Sequence, residues 1–478
     1  MGKNGSLVKN SVFNVIYKLL NLAFPLIMSI YGAHIIYSSG IGKVASAQNV
    51  VQYFVLAASL GIPQYGIREI ANRREQSKEK NIVFSELFFL NLISTFFCVI
   101  AFLIFASLKG WFGDKRLYLI SGILIVLNII NVDWLYQGEE DYVFITLRSA
   151  IVKICSLLVM FFTVKAERDY CNYALINIIA IAGNNVFNIL HLKKIGVILQ
   201  LKGLNIVRHL KPVFLLLCTT VSIELYTLLD TTMITYFCED ENVGFYTAAI
   251  KIPKMIIVVV TGISGVLLPR LTIYYNNGNK EKCNEIINKI LSILLFLFMP
   301  CGVGLFVVAP QLVSVFFGET FLPGIVTLKI ASFLIYALGF SNLFGTQLLL
   351  TVRKEKLLLI STICGAGTNI IMNLILIPIF YQNGAAFASV VSECIVTIIS
   401  FVFASKYFKI RVEKRVFFTS LLATLAMFVA CYFVTKIQIS DFVSLILTCL
   451  TGAVVYALIN IVFKNPILIF FKNMKRAS

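Results

Sequence analysis

Charged side chains stand inside segments that are otherwise apolar enough to lie in a membrane. Three lysines share a helical face with other polar residues or lie well inside an apolar segment: Lys18, Lys251 and Lys254. An ionised group in hydrocarbon costs about 2.5–3.5 kcal/mol on insertion scales, so such residues usually face a cavity or a partner. An ammonium group in a cavity binds phosphate as a point charge. We therefore predict a cationic cavity that accepts an anion.

Amide side chains form stripes at helical spacing on several of the same segments. An amide in a cavity can hydrogen-bond sugar hydroxyls, but an amide between helices can equally hold those helices together. Both interpretations stay open from the sequence. The candidate amides are Asn14, Asn21, Asn49, Gln52, Asn184, Asn188, Asn369 and Asn373.

Three acids in apolar segments are candidates for binding a proton or a sodium ion: Asp230, Glu224 and Glu393. Burial disfavours a charged carboxylate, so a carboxyl group in the membrane can exchange a cation near neutral pH. The sequence contains no P-loop, Rossmann or H-E-x-x-H pattern, and its histidines and cysteines have no metal-ligand spacing. We expect no enzyme, no metal site and no cofactor.

The elements that position these residues are membrane helices. The chain has 478 residues, of which 59% are hydrophobic and 13% charged, with a mean hydropathy of +0.89. Soluble domains are about 25% charged, and one crossing needs roughly 20 apolar residues. The apolar runs predict an all-α polytopic protein with about fourteen segments: 12–33, 41–62, 83–108, 117–137, 147–164, 171–190, 212–237, 245–268, 289–309, 325–350, 357–380, 385–404, 416–435 and 442–463.

The basic residues predict sidedness. Most of the 41 Lys and Arg residues fall on every second connection if the N-terminus is cytoplasmic. This asymmetry is typical of the positive-inside rule, so the net charge of +18 indicates topology rather than nucleic-acid binding. Both termini are predicted to be cytoplasmic. The longest connections, at about 63–82, 191–211 and 269–288, are too short for a soluble domain.

Two stretches of the chain match at an offset of 202 residues, 42–68 and 244–270. The offset aligns Arg68 with Arg270, and it sets Asn49 against Lys251. Six segments separate the two stretches, which predicts two six-helix lobes in a parallel repeat around a central cavity. The predicted organisation is an N-terminal lobe over 1–200, a second lobe over 201–410, and two further helices with a tail over 411–478.

Four short motifs then resemble those of a known family. Residues 134–140 read WLYQGEE and fit W-x-x-Q-G-x-E, and residues 66–71 read GIREIA and fit G-x-R-x-x-A. Residues 230–234 fit D-x-x-x-I, and residues 243–252 fit V-G-x-Y-x-A-A-x-K-I. In this order and on these segments, they resemble Wzx-type O-antigen or capsule repeat-unit flippases of the multidrug/oligosaccharidyl-lipid/polysaccharide exporter superfamily.

The resemblance implies a substrate and a setting. The substrate is an undecaprenyl-diphosphate-linked oligosaccharide, which is moved from the inner to the outer leaflet of the bacterial cytoplasmic membrane by alternating access. Arg68, Arg270 and Gln137 then belong to a cytoplasmic gate. The expected partners are membrane lipids, the polysaccharide polymerase and assembly proteins, without nucleic acid. A proton gradient, a sodium gradient, the membrane potential and removal of product stay open as energy sources.

Three other functions stay open from the sequence. A multidrug or cation exporter of the same superfamily would need an acidic, aromatic cavity, against which the lysines argue. A peptidoglycan-precursor flippase would carry a closely related substrate. A membrane polysaccharide polymerase or ligase would need a large outer loop with catalytic acids, whereas the outer connections here are short.

Overall fold

The structure is a computed structural model that describes residues 3–108, 114–265 and 268–468. These residues form helices joined by turns and by non-helical segments of up to about ten residues, and no strand occurs among them. The contacts of the chain divide it into two compact units, residues 1–232 and residues 233–478. The predicted all-helical fold is confirmed. The lobe bounds 1–200 and 201–410 remain a prediction.

The first unit contains nine helices and most of a tenth among its described residues. They are α1 (Lys3–Ile35), α2 (Tyr37–Ser59), α3 (Ile62–Asn72), α4 (Ser77–Ser107), α5 (Lys115–Leu127), α6 (Asp133–Gly138), α7 (Tyr142–Thr163), α8 (Tyr170–Ala182), α9 (Asn184–His191) and α10 (Val207–Phe237), which runs on into the second unit.

The second unit continues from the end of α10. Its helices are α11 (Asp240–Gly265), α12 (Leu268–Asn276), α13 (Lys280–Phe317), α14 (Gly324–Ala331), α15 (Leu334–Ser341), a π-helical stretch (Asn342–Leu349), α16 (Glu355–Ala404), α17 (Lys414–Val434) and α18 (Asp441–Val462).

Backbone breaks place the ends of several helices. Leu60 and Gly61 both have positive φ angles, 50° and 81°, and separate α2 from α3. Tyr381 has a φ of 51° and divides α16 into two helices. The second half folds back on the first, because a β-carbon on Gly384 would lie 2.4 Å from the Leu376 carbonyl oxygen. The predicted segments 357–380 and 385–404 are therefore one helical hairpin.

Ten of the described helices or helix pairs are long and apolar enough to cross a membrane. Among the described residues, the fourteen predicted segments are mostly helical, since an apolar run in lipid must satisfy its backbone internally. The predicted connections 63–82 and 269–288 differ from expectation, because α3 and α12 occupy much of them. In α3, Ile62 and Ile70 are buried, so packing extends the helix beyond the apolar run.

Candidate functional site

Two of the recognised motifs pack against each other in the first unit. Gly66 of the G-x-R-x-x-A motif lies against Trp134 of the W-x-x-Q-G-x-E motif, and a β-carbon on Gly66 would come within 2.4 Å of the indole ring. Gly138 lies against Ile70 in the same way, with a β-carbon 2.8 Å from that side chain. The glycines of both motifs are therefore required for α3 and α6 to approach closely.

Charged side chains fasten the same junction. Arg74 donates a hydrogen bond to the Gly138 carbonyl at 2.7 Å and pairs with Glu140 at 3.2 Å. Lys80 pairs with Glu139 at 3.0 Å, and only 7% of the Lys80 side chain is exposed. The acids of the W-x-x-Q-G-x-E motif therefore hold helices together.

Asp133, the first residue of α6, is the centre of a buried polar cluster. Its carboxylate accepts hydrogen bonds from Arg148 of α7 at 3.0 Å and from the Asn188 amide of α9 at 2.6 Å. The Tyr17 hydroxyl of α1 donates to the second carboxylate oxygen at 3.1 Å. Four helices thus contribute to one carboxylate. Several donors of this kind offset the cost of burying its charge.

Arg148 is the most buried charge of this cluster, with 3% of its side chain exposed. One guanidinium nitrogen pairs with Asp133, while Nε and Nη1 have no hydrogen-bond partner within the described residues. Its guanidinium also lies 5.4 Å from the centre of the Phe144 ring. A guanidinium carries five N–H donors in a planar fork. Arg148 therefore retains donors that are suited to a second anion.

A second cation lies near this cluster on α7. Lys153 is buried and donates a hydrogen bond to the Asn21 amide oxygen of α1. Its ammonium also lies 5.9 Å from the centre of the Phe24 ring. Arg148 and Lys153 together outnumber the single carboxylate of Asp133. Among the described side chains, the contact between α1 and α7 therefore carries a net positive charge, from Arg148 and Lys153, which were not among the predicted site residues.

The predicted amide Asn49 contacts α10 within the first unit. Its NH2 group donates to the Leu228 carbonyl at 3.1 Å and to the Thr232 hydroxyl at 2.8 Å. Tyr53, one turn further on α2, shares a hydrogen bond with the same hydroxyl. Asp230 is buried nearby on α10. Asn49 therefore joins two helices, the alternative that the sequence left open beside cavity lining.

Five of the predicted residues of the second unit lie on two helices, α11 and α16. Lys251 and Lys254 are half-buried on α11, and neither forms a hydrogen bond or an ion pair with a described side chain. Asn373 donates to the Asn369 amide oxygen at 3.1 Å on α16, and both are fully buried. Glu393 is buried on the second half of α16.

The remaining predicted residues are dispersed. Glu224, Gln52 and Arg68 are exposed, and 62% of the Arg68 side chain is accessible. Asn14 and Gln137 are half-buried, and Asn184 is buried with no described partner for its amide oxygen. The side chains of Lys18 and Arg270 lie outside the described residues. The structure therefore brings together Asn21 with Lys153, Asn188 with Asp133, and Asn369 with Asn373.

Sequence reasoning missed Asp133, Arg148 and Tyr17 as members of one site. The signal for Asp133 was its position immediately before the motif at 134–140. Arg148 stands at the start of an apolar segment, where an arginine usually marks a helix end. The chain leaves the helical conformation at residues 131–132 and again at 139–141, on either side of α6, and periodicity does not reveal such breaks.

The chain matches a family model described as polysaccharide biosynthesis protein over residues 7–275, and a MatE model over residues 216–375. It is 24% identical to a putative O-antigen transporter of Shigella dysenteriae, covering 76% of this chain and 91% of the relative. It is 23% identical to a putative O-antigen transporter of Escherichia coli K12, covering 83% and 96%. These matches confirm the family resemblance drawn from the motifs.

Solved structures share the fold. The chain superimposes on a lipid II flippase, MurJ, in an inward closed conformation with a TM-score of 0.77 at 17% identity, covering 96% of this chain and 100% of that one. An inward-facing multidrug resistance MATE transporter gives a TM-score of 0.62 at 16% identity, covering 82% and 94%. These likenesses support a multi-pass membrane fold.

Proposed function

Because the chain belongs to the family of polysaccharide biosynthesis proteins, we propose that it moves a lipid-linked oligosaccharide across the bacterial cytoplasmic membrane. The proposed substrate is an undecaprenyl-diphosphate-linked repeat unit, transferred from the inner to the outer leaflet by alternating access for O-antigen or capsule assembly. Similarity to putative O-antigen transporters over nearly their whole length is the observation that carries this proposal.

The charges inside the helices support an anionic head group. A diphosphate cannot enter hydrocarbon alone, because burying an unpaired charge costs many kcal/mol. In the first unit, Arg148 offers two buried nitrogens without a described partner, and Lys153 adds a second cation. In the second unit, Lys251 and Lys254 carry ammonium groups without a described counter-ion. We propose that these cations bind the phosphates.

Polar residues have separate proposed roles. Asn184 retains a buried amide oxygen for a sugar hydroxyl. Asp230, with Glu224 or Glu393, remains the candidate proton or sodium site, and Arg68 remains a candidate of the cytoplasmic gate. Asp230→Asn should abolish dependence of transport on the ion gradient. Undiminished gradient-driven transport by this variant in sealed vesicles would remove Asp230 from that role.

Neutralising the α11 lysines tests the proposed substrate site. The Lys251→Gln/Lys254→Gln variant should fail to restore surface polysaccharide to a flippase-deficient strain while accumulating normally in the membrane. Lys329→Gln, a change of another lysine on an apolar helix, is the matched control and should restore it. Normal surface polysaccharide in the double variant would exclude both lysines from binding.

Purified protein in proteoliposomes separates the candidate substrates. Transfer of an undecaprenyl-diphosphate oligosaccharide to the outer leaflet supports the proposal. Transfer of lipid II alone would assign a peptidoglycan-precursor flippase, and drug efflux alone would assign a multidrug exporter. Lengthening of the glycan during the assay would instead indicate a polymerase.

A further inference from the structure

The segment that leads from α9 to α10 is non-helical over residues 197–206, yet α4 holds its backbone. Asn81 accepts a hydrogen bond from the amide of Ile198 at 3.4 Å, and Ser85 accepts one from the amide of Gln200 at 2.8 Å. Both acceptors are buried and lie one helical turn apart. Side chains of α4 therefore hold the backbone of this segment along the helix.

Glu86, the next residue of α4, extends this contact to the start of α10. Its carboxylate accepts from the amide of Asn205 at 2.7 Å, from two nitrogens of Arg208, and from His209 at 2.8 Å. The other ring nitrogen of His209 shares a 2.9 Å hydrogen bond with the Tyr65 hydroxyl of α3. Only 1% of the Glu86 side chain is exposed. One buried carboxylate thus joins α4 to the first turn of α10.

The second unit repeats the backbone part of this arrangement. Asn284 accepts from the amide of Lys409 at 2.9 Å, and Asn288 accepts from the amide of Arg411 at 2.8 Å. These acceptors stand 203 residues after Asn81 and Ser85 and are again one turn apart on a helix, α13. The amides are again two residues apart, just before a long helix, α17. The two units therefore share one arrangement, which we call the docking geometry. Two side-chain acceptors one turn apart on a helix accept from two backbone amides two residues apart in a connecting segment.

The residue after the second acceptor differs between the units. In the first unit it is Glu86, and in the second it is Lys289. The carboxylate reaches Arg208 and His209 on the following helix. The first unit thus adds an ionic contact to the shared geometry, at the connection that leads into α10.

A close backbone approach provides independent support that the first unit holds the start of α10. Gly61 has a φ of 81°, and a β-carbon there would lie 2.7 Å from the Leu217 nitrogen and 2.9 Å from the Val213 oxygen. Such proximity leaves no room for a side chain between the α2–α3 break and α10. The first turns of α10 are therefore fixed from two sides.

We propose that Glu86 is a positioning residue for transport: by holding Asn205, Arg208 and His209, it makes segment 197–209 a fixed extension of the first unit. The point at which α10 begins is then set by α4. Transport requires that point to stay in place, whichever substrate is carried. The transport part of this inference rests on the proposed function, whereas the docking part does not.

Hydrogen exchange and transport, measured together on full-length protein, test the inference. Glu86→Gln should accelerate exchange of peptide amides in 197–206 at least tenfold and lower transport at least tenfold. Peptide 405–413 is the internal control and should exchange as in the wild type. Arg208 is half-exposed, so Arg208→Gln should fold well and lower transport severalfold, while Arg208→Lys should restore it.

Each outcome separates docking from transport. Wild-type transport with faster exchange in 197–206 would overturn the positioning role. Unchanged exchange in Glu86→Gln would overturn the docking itself. If Glu86→Gln does not accumulate, the Arg208→Gln and Arg208→Lys pair decides, because equal transport by the two would overturn the role. If the wild type moves no lipid-linked oligosaccharide, the proposed function fails, and transport is scored with the substrate that it does move.

Discussion

Within each unit, polar side chains join helices, and the two units differ in the kind of polar contact that they use. In the first unit, the carboxylate of Asp133 accepts from three helices, and that of Glu86 accepts from Asn205 and from the first turn of α10. In the second unit, several contacts between helices join neutral groups, such as Asn242 with Gln382 at 2.5 Å and Tyr246 with Ser389 at 3.2 Å. At the shared docking geometry, the residue after the second acceptor is the carboxylate Glu86 in the first unit and Lys289 in the second.

The contrast predicts unequal sensitivity to mutation. A buried ion pair fails badly when one partner is lost, because the other charge remains without compensation. A neutral hydrogen bond contributes only about 0.5–1.5 kcal/mol. The two units therefore share the same backbone contacts at the docking geometry, whereas the side chains that support those contacts differ between the units.

The largest effect should come from the Asp133 cluster. Arg148→Met leaves the carboxylate without its ionic partner and should lower the free energy of unfolding by about 3–5 kcal/mol. The Asp133→Asn/Arg148→Met double variant should recover most of that loss but not transport. Denaturant unfolding in detergent measures both. Equal losses in the Arg148→Met and double variants would contradict this recovery, and the Asp133→Asn single variant completes the cycle that measures the coupling.

A smaller effect is expected at the glycines of positive φ. Gly61→Ala combines left-handed strain with a clash against α10 and should cost roughly 2–4 kcal/mol. Gly278, which precedes α13 with a φ of 71°, has open space around its α-carbon. Gly278→Ala should therefore cost only the strain, about 1–2 kcal/mol. Thermal unfolding of the two variants checks the difference, and equal midpoints would contradict it.

The smallest effects compare the matched docking residues directly. Ser85→Ala leaves the amide of Gln200 without its acceptor beside a buried helix face. This change should lower the free energy of unfolding by about 1–2 kcal/mol. Asn288 is only half-buried, so water can replace its oxygen, and Asn288→Ala should cost about 0.5 kcal/mol. Local exchange rates of the two segments report each change. A larger effect at Asn288 would reverse the ranking of the units.

The helices were predictable because apolar runs in lipid have few alternatives to helix. The partners of the charged groups were not. Arg148 and Asp133 are close in sequence, but their pairing depends on the non-helical turn at residues 139–141, which separates α6 from α7. Glu86 contacts residues more than a hundred positions away, and no periodicity marks such a contact. The repeat at 42–68 and 244–270 did indicate an offset close to the one that relates the two docking sites.

At Tyr381, a single residue with a positive φ reverses the chain between two helices of membrane length. On the predicted topology this reversal faces outward, and Tyr381 is the one residue of α16 with non-helical backbone, so no extended loop connects the two helices. Antibodies, proteases and phages recognise protruding loops, and this connection presents no such loop for them to bind. An epitope tag for labelling intact cells is therefore better placed elsewhere, since an insertion here would separate Gly384 from Leu376.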